Sequence, residues 1–540
     1  MLLFPVAGFL ALLWYVIRVA EKPSRASYPC MQAAAPLASG FIVWLAGLIV
    51  LPAVFVKIWS AIKRRGLPMA GFALVALSLS VGGSVMFCRS GEGAVANAVI
   101  EGPNRPTGAA QGIFPGRVVW VWNPEATNER VTNRPGDGWF LPKNNNQPAI
   151  DLMLSEGLRH LTGADTDAAA WKAVFAFYNS RRGAAAGYVT GQKIFIKTNA
   201  TSAWWGNFKA ADLSIAENQF YGVAETNPAV VLSVLRQLVN TVGVAQTDIY
   251  VGDPMKHIYR HAYELWHAEF PGVHYIDHDF GPELGREKVT YTAKPAIFYS
   301  DRGTVMKAGG MNHSTSGPPV MSDTLCTLFE TAEYIINIPT LKGHKRAGVT
   351  MFAKNHFGSH GRADASHLHG GLVNPDENNP RRQGYGLYRV QVDLMGHAWL
   401  GGKNLLYLMD ALYAGPEAVY RPTKWRSVPF NNDWTSSLFL SLDPVAIESV
   451  GYDFLRTEYS AATEYDWVQM NGVDDYLHQA ADRSAWPAGV VYDPEQDGTP
   501  VLSLGVHEHW NNAQDKRYSR NLGKGTGIEL VRAGKGFGDS

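Results

Sequence analysis

The chain has 540 residues and a formal net charge of zero, because 48 basic side chains balance 48 acidic ones. Residues 1–90 hold eight of the basic residues and one acidic residue, so the rest of the chain carries a net charge of −7. A mildly acidic globular part argues against nucleic acid as a partner, since phosphate binding requires a basic face. None of the three cysteines lies in a CxxC motif, which excludes an iron–sulfur cluster and a cysteine-rich zinc site.

The first 90 residues predict a transmembrane region of three helices. Residues 2–19, 37–56 and 67–87 are apolar runs of a length that can cross the hydrocarbon core of a bilayer. Both intervening loops are basic, and the second, around Lys63, is the denser of the two, so it is expected to face the cytoplasm. This orientation places the globular part outside the cytoplasm, in the periplasm or at the outer face of the membrane.

The remaining chain is expected to form one α/β domain with two flanking segments. Residues 91–112, rich in glycine, alanine, asparagine and proline, are typical of a linker. Residues 113–480 alternate strand and helix patterns, which predicts a mostly parallel sheet with crossover helices. Residues 481–540 lose this alternation and are expected to form an irregular extension packed on the core.

The predicted elements follow one another in this order along the chain. Strands are predicted at residues 118–122, 193–197, 248–251, 273–276, 334–338, 405–409 and 438–442, with weaker strand signals at 501–506 and 527–531. Helices are predicted at residues 149–161, 165–178, 257–269 and 445–456, and a further helix begins at Asn227–Pro228. That last start is well defined, because asparagine is a good N-cap and proline is preferred at the first helical position.

Residues 333–362 concentrate candidate site residues at the ends of two apolar runs. Lys342 and His344 follow the first run, and Lys354, Asn355 and His356 follow the second. Ligands of α/β folds bind beyond the carboxyl ends of the strands. Two ammonium groups and an imidazole could hold a phosphate or carboxylate group there and move a proton. The alternative is that the lysines are solvated loop residues and that the histidines fill space.

Lys197, Asn199 and Asp253 lie at the ends of two other predicted strands. In a parallel sheet these ends share an edge with Lys342 and Lys354, so that a ligand would lie between them. Asp253 could pair with a lysine, act as a base or bind a metal ion. Alternatively it closes an Asx turn before the proline that follows it.

Two histidine pairs with HxH spacing, His367/His369 and His507/His509, could bind a divalent metal ion. In an extended segment, residues two apart point to one side, and such a pair of imidazoles suits zinc or a similar ion. A carboxylate such as Asp364 could join them. No complete ligand set at fixed spacing is visible, so the sequence leaves the cofactor unknown, with a divalent metal ion as the candidate.

Five sequence blocks occur in an order that resembles a known family. They are GQKIFIKTN at 191–199, NPAVVLSVLRQLVNTVGV at 227–244, DIYVGDP at 248–254, INIPTLKGHKRAGVTMFAKNHFG at 336–358, and SLDPVAIESVGYDFL at 441–455. Together they are similar to the domain-of-unknown-function family numbered 362 (DUF 362). The apolar start of the chain and GRVVWVWNP at 116–124 resemble the exported, membrane-anchored branch of that family. The resemblance implies an α/β core; the ferredoxin-like modules of some relatives are not expected here, because their cysteines are missing.

These observations combine into one hypothesis with two alternatives. The leading hypothesis is a membrane-tethered, extracytoplasmic α/β protein whose pocket accepts a small anionic molecule and performs acid–base chemistry, as a hydrolase or a related enzyme would. The predicted substrate-binding residues are Lys197, Asn199, Lys342, Lys354 and Asn355, and the predicted catalytic residues are His344, His356 and Asp253. The first alternative is a metal-dependent hydrolase that uses the histidine pairs. The second is a non-catalytic ligand-binding or scaffold protein at the surface.

Overall fold

The chain divides into two units, Met1–Val95 and Ala96–Ser540. The computed structural model describes residues 9–14, 16–17, 102–184, 186–203, 207–309, 316–375, 382–459 and 472–538. In the first unit, residues 9–14 and 16–17 are helical. Within the described ranges, no helix combines the length and the apolar character that a membrane crossing requires. The second and third predicted spans lie outside the described residues, as does much of the first.

An eleven-stranded sheet organises the second unit. Its strands in chain order are β1 (Arg117–Trp122), β2 (Ile194–Thr198), β3 (Ile249–Gly252), β4 (His274–Asp277), β5 (Glu287–Lys288), β6 (Tyr334–Ile338), β7 (Thr340–His344), β8 (Gly348–Thr350), β9 (Asn404–Gly415), β10 (Ser437–Ser441) and β11 (Glu529–Ala533). Nine of them follow the spatial order β11-β1-β10-β9-β6-β2-β3-β4-β5, and β7 pairs with β9 and β8. Strands β9, β6, β2, β3, β4 and β5 run parallel. The sheet is therefore mixed and mostly parallel, as predicted.

The helices of the described residues connect these strands. They are α1 (Gln147–Thr162), α2 (Asp167–Ser180), α3 (Pro228–Arg236), α4 (Arg260–His267), α5 (Thr327–Thr331), α6 (Phe352–Asn355), α7 (Val390–Gly396), α8 (Pro444–Tyr459) and α9 (Asp475–Ala481). Short two-residue strands lie outside the main sheet, at Thr107–Gly108, Phe208–Lys209, Ser214–Ile215, Ile297–Phe298, Ser322–Asp323 and Val506–His507. Of the strand predicted at 501–506, only the two-residue strand Val506–His507 is present. The strand predicted at 527–531 corresponds to β11 of the main sheet.

Helix α3 begins at the predicted capping residues, whereas helix α4 begins later than predicted. The side chain of Asn227 accepts a hydrogen bond from the backbone N–H of Ala229, and Pro228 occupies the first turn of α3. Helix α1 ends at Gly163, whose φ of 71° lies in the left-handed region that glycine adopts at low cost. Helix α4 begins three residues later than predicted. Asp277 accepts a hydrogen bond from the backbone N–H of Ile258, which holds that segment outside the helix.

Alternating strand residues build a hydrophobic core on each face of the sheet. Ile194 and Ile196 pack on one face with helices α1 to α4, whereas Phe195 packs on the other with helices α5 to α9. Because side chains alternate along a strand, Lys197 belongs to the same face as Phe195. The carboxyl end of β2 therefore presents a charged side chain on the α6 side of the sheet.

Strand β9 has twelve residues, more than twice the length that the sequence pattern predicts. Its first half pairs with β6, and its second half pairs with β7 through Thr340↔Asp410 and Lys342↔Gly415. It thus continues past the end of β6 and forms one wall of the space beyond the sheet edge.

Candidate functional site

The carboxyl ends of β2, β3 and β6 bring polar side chains into register. Lys197 on β2 lies opposite Asn337 on β6 and Gly252 on β3, and Asp253 follows Gly252 directly. The Nζ atom of Lys197 lies 3.2 Å from Oδ1 of Asp253 and donates to the carbonyl of Thr198 at 2.7 Å. Lys197 is 0% exposed. Burial lowers the pKa of Lys197 below its usual 10.5, and the charge of Asp253 opposes this shift.

Asn355 links the neighbouring strand ends to one another. Its Oδ1 accepts from Nδ2 of Asn199 at 3.2 Å and from Nζ of Lys197 at 3.4 Å. Its Nδ2 donates to Oδ1 of Asn337 at 2.8 Å. Three residues that the sequence predicts as substrate-binding are thus hydrogen-bonded to each other, and Asn199 and Asn355 also line the cavity described next.

A cavity of about 380 Å³ lies beyond this edge of the sheet. This volume suits a small molecule. The charged residues of its lining are Asp253, Lys256, Lys345, Arg346, Lys354, Asp364 and Glu417. His344 and His369 also line it, together with the ring of Phe357.

Lys342 supports the wall of the cavity from behind. Its ammonium donates hydrogen bonds to Oγ1 of Thr201 at 3.0 Å, to the carbonyl of Ala418 at 3.0 Å, and to the carbonyl of Ala224. These three acceptors use all three donors of an ammonium group. Burial lowers the pKa of Lys342 to about 8. Lys342 therefore contributes positive charge to the cavity while its hydrogen bonds hold the loops around it.

Lys354 contributes its ammonium group to the lining of the cavity itself. This half-buried group lies 3.7 Å from the centroid of the Phe357 ring, and it donates no hydrogen bond to any residue that the structure describes. Burial is the main cause that lowers the pKa of Lys354 to about 7, and the positive charge of Lys342 adds to the shift. An ammonium in this setting gains from an anionic partner.

Three further cations of the lining, Lys256, Lys345 and Arg346, are absent from the predicted site. Lys256 follows Asp253 by three residues, in a turn closed by the hydrogen bond from its backbone N–H to the Asp253 carbonyl at 2.9 Å. Burial lowers the pKa of Lys256 to about 8. Arg346 is buried and donates to the carbonyl of Pro375 at 2.7 Å. The position of Lys256 in the turn after β3 could have identified it as a site residue. The basic run that follows β7 could have identified Arg346 in the same way.

The two cavity histidines hold their protons on different nitrogen atoms. Nδ1 of His344 accepts from the backbone N–H groups of Arg346 at 3.0 Å and Ala347 at 3.2 Å, so the proton of the neutral ring is on Nε2. Nδ1 of His369 lies 3.0 Å from the carbonyl of Ala365, to which it must donate, so Nε2 carries a lone pair. Burial holds the pKa of both rings well below 6.5. One ring is thus a donor and the other an acceptor.

His356, predicted as a catalytic residue, lies in the core and does not line this cavity. Its Nε2 accepts from Nδ2 of Asn337 at 3.1 Å, and its Nδ1 lies 3.1 Å from Oγ of Ser359. Both ring nitrogens therefore have protein partners. The arrangement ties helix α6 and the turn after it to strand β6.

The described residues include two buried groups of side chains that could hold a metal ion. They are Asp323 with His360 and His367, and Asp474 with His507 and His509. The predicted pair His507/His509 thus stays together. The predicted pair His367/His369 separates, because Ser366–Gly371 is a 3₁₀-helix, in which residues two apart lie about two thirds of a turn from each other.

Comparison with known proteins finds a family model that is similar to part of the chain. The family described as a domain of unknown function, DUF362, matches residues 285–453. The match supports the resemblance that the sequence blocks suggest, and it includes His344, Lys354 and His369 but not Lys197 or Asp253. No curated protein matches the chain.

Proposed function

We propose that the cavity binds a small molecule carrying a phosphate or carboxylate group and performs acid–base chemistry on it. The observation that supports this most directly is the charge of the lining. Four cationic side chains line the cavity against three carboxylates, and one of those carboxylates, Asp253, is already paired with the buried Lys197. The surplus of positive charge, in a partly shielded space, favours an anionic ligand.

We assign to Lys354 the direct contact with the phosphate or carboxylate group of the ligand. Its ammonium lines the cavity without a hydrogen-bond partner among the described residues, and its depressed pKa reflects the cost of that burial. Lys256 and Arg346 add further positive charge to the lining. Lys342 and Lys197, whose donors are used within the protein, contribute charge at longer range and fix the surrounding loops.

The two imidazoles of the lining, His344 and His369, would transfer protons to and from the bound molecule. Nε2 of His369 is an acceptor and suits the general base, and Nε2–H of His344 is a donor that suits the general acid. Their ring centroids lie 5.8 Å apart, so both rings can contact the same bound molecule. This assignment keeps His344 of the sequence-based hypothesis and replaces His356 by His369.

The remaining parts of the proposal concern location and alternatives. The apolar runs of the first 90 residues support a membrane tether, and the dense basic loop around Lys63 favours an extracytoplasmic globular part.

We rank a metal-dependent hydrolase second, because none of the six residues of the metal-capable groups lines the cavity. A non-catalytic ligand-binding protein would use the same cavity without the proton transfer.

Calorimetric titration of the full-length protein with inorganic phosphate tests the proposal. We expect saturable binding that the Lys354→Met variant weakens by at least about tenfold, which corresponds to the loss of one charge-assisted hydrogen bond. The matched control is Lys172→Met on helix α2, where the lysine is exposed. Equal phosphate affinity of the wild type and Lys354→Met would remove the proposed role of the cavity. Conversion of any phosphate or carboxylate ester by the wild type would distinguish an enzyme from a binding protein.

A further inference from the structure

The Asp474 group joins three parts of the chain at one buried point. Asp474 directly precedes helix α9, and His507 and His509 lie on the extended C-terminal segment that begins with the strand Val506–His507. One ligand atom from each of the three side chains lies within 4.8 Å of the other two. All three side chains are buried, and none of them lines the cavity beyond the sheet edge.

His507 has one ring nitrogen whose lone pair no protein group uses. Oγ of Ser449 donates to the carbonyl of Val445 at 2.6 Å, so it can only accept from Nδ1 of His507, which lies 2.8 Å away. The proton of the neutral ring is therefore on Nδ1, and Nε2 is a free acceptor. His507 is 1% exposed, and its Nε2 atom has no hydrogen-bond partner. A buried nitrogen lone pair without a donor is a costly arrangement that a metal ion relieves.

His509 is oriented in the same way by a carboxylate. Its Nδ1 lies 2.8 Å from Oδ1 of Asp453, and its Nε2 lies 3.2 Å from Oδ2 of Asp474. Asp453 is in turn held by the backbone N–H of Trp510 and the hydroxyl of Tyr518, each at 3.0 Å. A carboxylate that fixes the far nitrogen of a histidine is the usual outer partner of a zinc-binding imidazole.

From this geometry we infer that Asp474, His507 and His509 bind a divalent transition-metal ion, for which zinc is the best fit. Two imidazoles and one carboxylate are ligands that zinc accepts in a tetrahedral site. A further imidazole, His478 on α9, has its ring centroid 4.4 Å from that of His507 and its Nε2 4.0 Å from Oδ2 of Asp474. The ion would fasten the C-terminal segment to α9, and through Ser449 and Asp453 to α8, so its role is structural.

The second metal-capable group lacks these properties and serves as the control. Oδ2 of Asp323 already accepts from the Tyr299 hydroxyl at 2.6 Å and faces Nε2 of His367 at 2.6 Å, and Arg362 pairs with its other oxygen. Nδ1 of His360 accepts from the backbone N–H of Arg362 at 3.2 Å, so its ring proton occupies Nε2. A metal ion at this group would be repelled by the guanidinium of Arg362 and would face the N–H of Nε2 in His360, which offers no lone pair.

Metal content and metal-dependent stability of the full-length protein test the inference. We expect purified wild-type protein to retain about one equivalent of zinc per chain, and expect removal by a chelator to lower Tm until zinc is restored. The metal-free protein should bind Co²⁺ with the visible absorption of a tetrahedral site. The Ser449→Ala variant, which removes the partner of Nδ1 in His507, should weaken zinc affinity by about 10- to 100-fold.

Two matched substitutions distinguish the proposed metal site from the other metal-capable group. His507→Asn keeps a donor for Ser449 and removes Nε2, so it should abolish Co²⁺ binding, whereas His367→Asn in the other group should leave it unchanged. Wild-type protein that takes up neither zinc nor Co²⁺, or His507→Asn protein that binds Co²⁺ as tightly as the wild type, would overturn the inference. Loss of the ion in His367→Asn alone would also overturn it. Circular dichroism of both variants checks that they fold, and the uptake of zinc and Co²⁺ by the wild type is measured independently of them and of phosphate binding.

Discussion

Lys197 and Asp253 form a buried ion pair across adjacent strand ends, with Nζ 3.2 Å from Oδ1 and neither side chain more than 5% exposed. The pair lies between the sheet and the cavity, because Lys197 belongs to β2 whereas Asp253 also lines the cavity. Asp253 further accepts from the backbone N–H of Ala200 at 3.3 Å. The pair therefore fixes the loops that follow β2 and β3 relative to each other.

Removing one member of this pair should cost more stability than removing both. Asp253→Asn leaves the ammonium of Lys197 buried without a counter-charge and should lower the free energy of unfolding by about 3 kcal/mol or more. The double variant Lys197→Met/Asp253→Asn should recover a large part of that loss. Urea unfolding of the two single variants and the double variant measures the coupling. Additive effects would show that the two charges do not stabilise each other.

Lys354→Met should stabilise the protein while it impairs anion binding. The folded-state pKa of about 7 lies below the value near 10.4 of an unfolded lysine, so the unfolded chain binds more protons between these values. The cost of burying the charge is complete below pH 7 and is relieved as the pH rises from about 7 towards 10. At pH 7 the variant should gain about 1–3 kcal/mol in the free energy of unfolding. Lys172→Met should show no comparable gain.

The affinity of the cavity for sulfate should fall as the pH rises through 7 and then 8. Sulfate keeps its charge in this range, so the change reports the protein, in which Lys354 loses its proton near pH 7 and Lys256 and Lys342 lose theirs near pH 8. Titrations between pH 6 and 9 measure it. The step near pH 7 should vanish in Lys354→Met. An affinity that is constant over this range would contradict the assignment of Lys354 to the anion.

Gly358→Ala should disturb the ion pair through a steric contact. A Cβ atom at Gly358 would lie 2.5 Å from Oδ1 of Asp253, so the carboxylate would have to move away from Lys197. We expect a loss of about 1–3 kcal/mol in the free energy of unfolding and weaker sulfate binding. Gly187→Ala is the matched control, because no atom lies within 4 Å of the Cβ position there. Equal stability of the two variants would show that the loop at Gly358 yields freely.

His356→Leu should reduce stability without changing anion affinity. The substitution removes the acceptor of Asn337 and the partner of Ser359 in the core, a loss of about 1–3 kcal/mol. Thermal unfolding and sulfate titration of the same sample separate the two effects. Lys354→Met should give the opposite pattern, with weaker binding and higher stability. A large drop in sulfate affinity at normal Tm would assign His356 to the cavity after all.

Local sequence signals predicted the part of the site that depends on strand ends. The Asn227–Pro228 start, the short apolar runs and their alternation with helices were sufficient to predict a mostly parallel sheet. From that sheet it follows that Lys197 and Asp253 share an edge. Such inferences succeed because strand direction and the period of two determine where the ends point.

Contacts between distant segments determine what the sequence could not predict. The ammonium of Lys342 is bound by carbonyls of Ala224 and Ala418, which lie far from it along the chain, so its hydrogen-bonding state has no local signal. The 3₁₀-helix at Ser366–Gly371 separates His367 from His369, although the same spacing keeps His507 and His509 together in an extended segment.

The length of strand β9 ties the cavity to the interior of the sheet. One continuous strand pairs with β6 near its start and with β7 near its end, and Glu417 and Ala418 of the cavity wall follow it directly. A single-residue insertion or deletion within β9 would turn every later side chain of the strand to the opposite face. An insertion or deletion in this strand should therefore be tolerated only when it contains an even number of residues, which keeps the later side chains on their faces and the cavity wall in place.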